Sequence, residues 1–304
     1  MGVLPQRELG RTGLRTTFIG FGALEIGRDW GVGAAQERRR PGEAEAGETL
    51  RCVLGLGVNL IDTASAYHRS EERIGKALHG RRSEYLLATK CGEHNREPDT
   101  YYDFSYGAIR ESIQNSLRLL QTPVIDILQI HFGPDPDRVL DDGGCVRAMK
   151  EAQAEGRVKF LGASVNGAVL GRCIDSGDFD VVQVGYSLLN QAEEGRIARA
   201  RERGIGVLIR SGLAGGWLTT RALRMTGDER PPGVNMVFDL CHGDGELVTA
   251  LALHFVARNE GVSAILVGSK SCGNVEQAVR LLSSPVDPAL IEEAASLARD
   301  AAGP

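Results

Sequence analysis

The 304-residue chain lacks the long apolar runs and closely spaced cysteine pairs that mark several classes of protein. No apolar stretch approaches the roughly 20 residues of a transmembrane helix, so we predict no membrane partner. The first nine residues contain no apolar core of a secretory signal. The six cysteines form no C-x-x-C pair, which favours reduced thiols over a disulfide framework or a zinc site. These absences predict a cytoplasmic protein without a metal centre.

The chain also lacks an excess of positive charge, since 40 aspartates and glutamates outnumber 35 lysines and arginines. The net charge of −5 leaves no basic stripe to displace counterions from phosphates, so we predict no nucleic-acid partner. The 42% of hydrophobic and 25% of charged residues are ordinary for a globular protein. Because no linker-like stretch divides the chain, we predict one domain over residues 1–304.

Short apolar runs recur along the chain, with helix-like segments between them. The predicted strands cover residues 18–22, 58–62, 84–90, 125–131, 158–164, 180–184, 205–210 and 262–268. Strict alternation of strand and helix over this length predicts an α/β protein of the (β/α)8 TIM barrel type, with an open doubly wound sheet as the alternative. Two glycines three residues apart within residues 7–17 predict a β-hairpin ahead of the barrel.

Three connections are long, at about residues 23–45, 91–104 and 211–245, and each follows a predicted strand. In a barrel of parallel strands the carboxyl ends converge on one mouth, so all three loops would border it. Long loops in a compact domain are uncommon unless they serve a site. We therefore predict the functional site at this mouth.

Four polar residues follow three successive predicted strands. Asp62 ends one strand and Tyr67 lies five residues later, whereas Lys90 and His131 end the next two. A phenol with a pKa of about 10 is a poor acid at neutral pH, and we expect a neighbouring ammonium, held by a carboxylate, to lower it. An imidazole can orient and polarise a carbonyl oxygen. Any one of these residues alone is more often a surface or core group, but together they predict carbonyl chemistry.

The segments that carry these residues resemble the aldo-keto reductase family. The matching segments are residues 9–14 (LGRTGL), 57–67 (GVNLIDTASAY), 70–78 (SEERIGKAL), 88–90 (ATK), 112–120 (SIQNSLRLL), 126–131 (DILQIH) and 156–164 (GRVKFLGAS). The resemblance covers about residues 7–282 and implies a (β/α)8 barrel that uses NAD(P)H without a Rossmann fold. It also implies a catalytic tetrad of Asp62, Tyr67, Lys90 and His131, with Tyr67 as the general acid in the reduction direction.

The same resemblance implies a set of cofactor-binding residues. Ser164 and Gln183 match the groups that hydrogen-bond the nicotinamide carboxamide, and Arg210 stands where many members have a stacking tyrosine. The whole set is Gly22, Ala23, Asp62, Ser164, Asn166, Gln183, Arg210, Ser211, Gly212, Leu213, Gly215, Gly268, Ser269, Lys270, Asn274 and Gln277.

Two segments of this set would hold the phosphates. Residues 211–216 resemble the loop that covers the pyrophosphate, although a bare glycine-rich run is equally explained as a flexible turn. Residues 268–277 resemble the segment that binds the adenosine phosphate, where a helix presents free N–H groups. Lys270 can pair with a 2′-phosphate, which favours NADPH over NADH, or it is a solvated surface lysine.

Substrate contacts are predicted on the mouth loops. Trp30, His94, Phe132 and Trp217 would line a pocket with apolar walls and few polar groups. Packing of each side chain within its own loop explains them equally well.

The leading hypothesis is an NAD(P)H-dependent reductase of a small-molecule aldehyde, ketone or sugar-like carbonyl. The first alternative is the opposite direction, an NAD(P)+-dependent dehydrogenase of a sugar or secondary alcohol, because the same residues serve both. The second is a regulatory subunit that binds the cofactor with little turnover, a role some relatives have on membrane channels. The sequence does not choose a physiological substrate, a stereochemical preference or an oligomeric state.

Overall fold

In the computed structural model, the strands of the described residues close a parallel barrel. The described residues are 4–31, 33–225 and 230–302, so parts of the first and third predicted mouth loops lie outside them. The barrel strands are β3 (Ile19–Gly22), β4 (Leu60–Asp62), β5 (Leu86–Cys91), β8 (Ile125–His131), β9 (Val158–Ser164), β10 (Val181–Gly185), β11 (Gly206–Arg210) and β12 (Ala264–Gly268). Strand β12 pairs with β3, which closes the ring and aligns Gly268 with Gly22.

Two antiparallel hairpins lie outside the barrel. The first pairs β1 (Gln6–Glu8) with β2 (Arg15–Thr17), and the second pairs β6 (Glu93–Arg96) with β7 (Asp99–Tyr102). The first hairpin closes the amino end of the barrel, because the Leu9 that follows β1 is fully buried among inward-facing strand residues. At Gly10, φ is +54° and an added Cβ would lie 2.3 Å from the backbone N of Gly206, so this approach needs glycine.

Helices alternate with the strands and cover the outside of the barrel. They are α1 (Leu24–Gly27), α2 (Ala35–Arg38), α3 (Glu43–Gly55), α4 (Ser70–Ala77), α5 (Tyr106–Leu119), α6 (Pro136–Asp142), α7 (Gly144–Ala154), α8 (Gly167–Ser176), α9 (Glu194–Glu202), α10 (Pro232–Leu240), α11 (Gly245–Arg258), α12 (Cys272–Ser283) and α13 (Pro288–Ala302). In α5, Ile109 and Ile113 are buried against the barrel while Glu111 and Gln114 are exposed. This helical period places apolar side chains between the helices and the strands. None of the described helices combines the length and the apolar character of a membrane span.

The (β/α)8 barrel and the amino-terminal hairpin predicted from the sequence are confirmed, and the predicted barrel strands differ from the observed ones by at most two residues. Two other expectations are wrong. Residues 91–104 hold the β6–β7 hairpin instead of an irregular loop. Cys52 in α3 and Cys272 in α12 form a disulfide, so the cysteines are not all reduced. The remaining four cysteines are free and buried.

Candidate active site

The interior of the barrel changes from apolar to polar in one step along the strands. On four strands an apolar residue is followed two positions later by a polar one: Leu60 and Asp62, Ala88 and Lys90, Ile127 and Gln129, Val181 and Gln183. Residues two apart on a strand point to the same face, so each polar residue lies above its apolar partner. We call Leu60, Ala88, Ile127 and Val181, which cluster with Leu9, Leu208, Ala264 and Leu266, the apolar layer. Asp62, Lys90, Gln129 and Gln183 form the polar layer at the mouth.

Asp62 and Lys90 form a buried ion pair in the polar layer, at 4% and 1% exposure. Nζ of Lys90 donates to Oδ2 of Asp62 at 2.6 Å and to the backbone oxygen of Thr63 at 2.8 Å. Nε2 of Gln129 and Nε2 of Gln183 donate to the other oxygen, Oδ1 of Asp62, at 3.0 and 2.8 Å. Burial disfavours the ammonium, but the attraction and hydrogen bonding of Asp62 and Tyr67 together outweigh it and raise the pKa of Lys90. The lysine therefore stays charged at the base of the mouth.

Tyr67 lies above this ion pair, in the turn between β4 and α4. The turn is fixed by the Tyr67 amide, which donates to the Ala64 oxygen at 3.0 Å, and by the Ser70 amide, which donates to the Tyr67 oxygen at 2.9 Å. Nζ of Lys90 lies 5.1 Å from the centre of the Tyr67 ring. Burial raises the pKa of the phenol and exceeds the lowering by Lys90, so the expected net decrease in the phenol pKa is wrong. The phenol therefore carries its proton at neutral pH.

His131, at the end of β8, faces Tyr67 and a carboxylate that the sequence analysis missed. The Tyr67 and His131 rings meet edge to face, with centres 5.9 Å apart. Oε2 of Glu93 lies 2.9 Å from Nδ1 of His131, although the contact is bent and this nitrogen has no well-aligned hydrogen bond within the described residues. Burial lowers the pKa of His131 more than Glu93 raises it, so the ring is neutral at pH 7. The sequence analysis missed Glu93 because this residue begins a polar run without the alternation of apolar and polar residues that marks a strand.

The predicted nicotinamide-binding residues cluster beside the tetrad. Oγ of Ser164 donates to Oε1 of Gln183 at 3.3 Å. The side chain of Asn166 bridges the backbone N and O of Gly185 and accepts a hydrogen bond from Nη2 of Arg210 at 2.6 Å. Asn166, Gly185, Arg210 and Ser211 line a cavity of about 400 Å³. Asn166 thus holds the Arg210 guanidinium at the edge of this cavity.

Further predicted cofactor-binding residues lie at or just after the neighbouring strand ends. Ala23 is buried, and its backbone amide donates to the backbone oxygen of Asp62 at 2.8 Å. Gly212 packs against the side chain of Ile265. Both residues therefore support the rim of the barrel. Leu213 and Gly215 lie in the turn after β11, where Gly215 has a φ of +67°.

The segment before α12 is held by short-range hydrogen bonds. Oγ of Ser269 accepts from the Ser271 amide and from Nδ2 of Asn274, each at 3.0 Å. Nζ of Lys270 donates to the backbone oxygens of Glu37 and Arg39, which ties the first mouth loop to this segment. Nε2 of Gln277 donates to Oε1 of Glu246 at 2.8 Å and is therefore engaged by a neighbouring helix.

These residues fit a nicotinamide dinucleotide. An added Cβ on Gly22 would lie 3.3 Å from Cα of Gly268, and Gly268 is exposed, so the two glycines leave bare backbone that any side chain would cover. The helix terminus at α12, with Lys270 before it, suits a phosphate. Gln183 and Ser164 supply amide and hydroxyl groups that match a carboxamide. The described residues contain no cluster of His, Cys, Asp or Glu able to hold a metal ion.

The four predicted substrate residues differ in how exposed their side chains are and in how many contacts they already make. Trp30 is half exposed at the rim, with the Arg28 guanidinium 6.0 Å from its ring centre. His94 stacks on Tyr101 at 5.0 Å and its Nε2 lies 2.8 Å from the Asp103 oxygen, so it is engaged within the β6–β7 hairpin. Phe132 packs on Phe104 at 6.5 Å. Trp217 packs against the main core, which leaves Trp30 as the most open of the four.

A second groove lies away from the mouth, between α7 and α8. It has a volume of about 780 Å³, and its lining includes Val146, Lys150, Arg172 and Asp178. Two of its cations are paired with carboxylates, since Lys150 contacts Asp178 at 2.5 Å and Arg172 contacts Asp141 at 2.6 Å. A third, Arg147, lies over the Tyr106 ring, 4.6 Å from its centre. No tetrad residue lines this groove, so the chemistry belongs to the mouth.

Comparison with known proteins gives a consistent result. The model of the Aldo/keto reductase family matches residues 18–299. L-galactose dehydrogenase of Arabidopsis thaliana is 31% identical over 291 residues, covering 90% of this chain and 86% of that protein. NADH-specific methylglyoxal reductase of Escherichia coli (strain K12) is 30% identical over 282 residues, covering 82% and 85%. An aldo-keto reductase of Bacillus halodurans in its holo form matches with a TM-score of 0.81 at 27% identity, covering 98% of this chain and 96% of that one.

Proposed function

The chain belongs to the aldo/keto reductase family and is an oxidoreductase, and we propose that it interconverts an aldehyde, ketone or sugar-like carbonyl and its alcohol. The observation that carries this proposal is the stacking of Tyr67 above the buried Lys90–Asp62 pair, beside His131. A nicotinamide cofactor, when bound, would supply or accept the hydride at the substrate carbon. All other steps belong to side chains of this chain.

In the reduction direction, Tyr67 gives its proton to the substrate oxygen. Its raised pKa keeps the phenol protonated until the substrate oxygen gains negative charge. The buried ammonium of Lys90 then stabilises the phenolate, because opposite charges attract strongly where water is excluded. Asp62, held by Gln129 and Gln183, fixes the ammonium below the ring. In the oxidation direction the same groups act in reverse.

NADPH is the proposed cofactor, with NADH as the alternative. Lys270 supports NADPH because this cationic residue comes two positions before α12, whose first turn suits a phosphate. Its two hydrogen bonds to the first mouth loop mean that a phosphate would share this ammonium with backbone oxygens. The NADH-specific relative of Escherichia coli supports the alternative. Titration of the protein with each cofactor, repeated with Lys270→Ala, decides between them.

Oxidation of a sugar or secondary alcohol is the second candidate. L-galactose dehydrogenase, a relative at 31% identity, is named for this direction. The half-exposed Trp30 at the rim offers a flat apolar face against which a sugar ring can pack.

Substitution Tyr67→Phe tests the proposed role. It removes the proton donor and should lower kcat by about 10²–10⁴-fold, the usual contribution of a general acid. Cofactor affinity, measured by calorimetric titration, should stay within about twofold. Tyr101→Phe, on the exposed hairpin, is the matched control and should keep full turnover. Normal activity of Tyr67→Phe would refute the role, and negligible wild-type turnover over a broad carbonyl and alcohol panel would favour a regulatory subunit.

A further inference from the structure

The Cys52–Cys272 disulfide lies at the segment proposed to hold a cofactor phosphate. Cys52 is in the last turn of α3, and Cys272 is the first residue of α12. Oγ1 of Thr49, three residues before Cys52 in the same helix, donates to the backbone oxygen of Lys270 at 3.1 Å. The Ser271 side chain makes no capping hydrogen bond with α12. The start of α12 is therefore held against α3 by the disulfide and by the hydrogen bond of Thr49.

The two bonded cysteines are accessible to external thiols, whereas the free cysteines are not. Cys52 is exposed and Cys272 is half-buried, but the four free thiols are all buried. Burial raises the pKa of Cys173 to about 12 and that of Cys241 to about 11, so these thiols keep their protons at neutral pH. Thiol–disulfide exchange needs a thiolate and access to the sulfur that it attacks. The exposed disulfide is therefore the place where this chain can exchange with an external thiol.

Building on the proposed function, we infer that the Cys52–Cys272 bond is a redox modification site through which a dithiol controls binding of the cofactor phosphate. One thiolate of the dithiol attacks Sγ of Cys52 and forms a mixed disulfide, which breaks the bond to Cys272 and releases that sulfur as a thiolate. The second sulfur of the dithiol displaces Cys52 from the mixed disulfide. The dithiol gives up two electrons and two protons and becomes a disulfide. The two cysteines receive the electrons, one proton goes to Cys52 and the other goes to solvent.

The positions of the two sulfurs in their helices decide which of them leaves. Cys272 stands at the amino end of α12, where the helix dipole stabilises an anion, whereas Cys52 stands in the last turn of α3, where the dipole disfavours one. The more stable thiolate is the better leaving group, and the exposed sulfur of Cys52 is the easier one to attack. Exchange should therefore form the mixed disulfide at Cys52.

Reduction should weaken phosphate binding in two ways. The amino end of α12 that suits a phosphate also stabilises the thiolate of Cys272, so reduction places a competing negative charge at the phosphate position. Reduction also removes the covalent tether between α12 and α3 and leaves the hydrogen bond of Thr49 to Lys270. Neither cysteine belongs to the tetrad, so we expect the reduced protein to lose cofactor affinity and to keep its turnover at saturating cofactor.

Thiol labelling of the folded protein tests the exchange without cofactor or substrate. Iodoacetamide should label no cysteine of the untreated protein. After dithiothreitol it should label Cys52 and Cys272, identified by mass spectrometry of their peptides, and the buried thiols should stay unlabelled in both states. Removal of dithiothreitol and addition of its oxidised form should restore the bond. Labelling of Cys52 and Cys272 in untreated protein, or none after dithiothreitol, would overturn the inference.

Calorimetric titration with NADPH measures the effect on cofactor binding. The Kd of the reduced wild type should be about fivefold higher than that of the oxidised form, the effect expected for one added charge about 4 Å from a phosphate charge in water. The kcat at saturating NADPH should stay within about twofold. Cys52→Ser, which leaves the Cys272 sulfur free, should bind as weakly as the reduced wild type, and dithiothreitol should not change it further. Cys272→Ser, which forms no thiolate at α12, should lose less affinity. Cys173→Ala, a buried free cysteine, is the control and should keep the difference between the two states.

The outcomes separate this inference from the proposed function. Equal NADPH affinity of the oxidised and reduced wild type would overturn the inference and leave the proposed function intact. Equal weakening in Cys52→Ser and Cys272→Ser would contradict the role of the thiolate. A protein that binds neither NADPH nor NADH in either state would refute the proposed function, and with it the control of cofactor binding, while the labelling result would still stand.

Discussion

The apolar and polar layers occupy the same strands, two residues apart, but they have different roles. The apolar layer contributes to stability, and the polar layer carries the reacting groups. Ile127 is fully buried among aliphatic side chains, and Gln129 above it donates to the carboxylate of Asp62. Along a strand this step is only about 7 Å. Loss of contacts in the lower layer reduces stability, whereas changes in the upper layer alter the charges that face the substrate. The barrel therefore keeps the reacting groups out of the lower layer, whereas the upper layer serves both chemistry and stability.

The largest effect on stability and turnover should come from Lys90→Met. This substitution tests the difference between the layers, because it makes the polar layer apolar at one position. Asp62 would keep its two amide donors but lose its counter-ion, and an unpaired buried charge costs about 3–5 kcal/mol of unfolding free energy. Turnover should be lost as well, because nothing would stabilise the phenolate of Tyr67. Urea unfolding and steady-state kinetics measure the two effects. Lys159→Met, an exposed lysine 2.7 Å from Asp126, should cost less than about 1 kcal/mol.

A change confined to the lower layer should affect stability alone. Ile127→Ala leaves a cavity in the fully packed interior and should cost about 2–4 kcal/mol of unfolding free energy. The kcat of the remaining folded enzyme should stay within about twofold, since no reacting group is touched. A fall in kcat of more than tenfold with the protein still folded would show that the two layers are not separable.

The smallest effect on stability is expected for Gln129→Leu in the upper layer. The substitution removes one hydrogen bond to Asp62, but it also removes Oε1 of Gln129, a buried oxygen without a partner in the described residues. These two terms oppose each other, so the unfolding free energy should change by less than about 1 kcal/mol. Turnover should fall several-fold because Asp62 and Lys90 are held less firmly. Equal losses of stability for Gln129→Leu and Ile127→Ala would contradict the comparison.

The sequence predicts the barrel strands and the polar residues at their ends well where the strands are fully buried. Four of the seven residues in the run that ends at His131 are apolar, and its bounds, 125–131, agree with β8. Parallel strands place their last residues at one rim, so the joint position of Asp62, Lys90 and His131 could be expected from the alternation alone.

The features that escaped prediction depend on contacts without a local pattern. Strands β6 and β7 consist largely of polar residues, and their pairing comes from cross-strand bonds such as Thr100 to Glu93. The pKa of Tyr67 depends on how much protein surrounds the phenol, which the spacing of residues does not report. The Cys52–Cys272 bond joins positions 220 residues apart, on helices that become neighbours only when the barrel closes.

That bond also changes what a single cut in the chain can do. Any peptide bond broken between residues 52 and 272 lies inside a covalent loop, so both fragments stay attached to each other. Trypsin acting after the exposed Arg96, in the β6–β7 hairpin, would leave one molecule of unchanged mass apart from an added water. Reduction of the disulfide would release the pieces, and until then the nicked protein would migrate under denaturing conditions as one molecule.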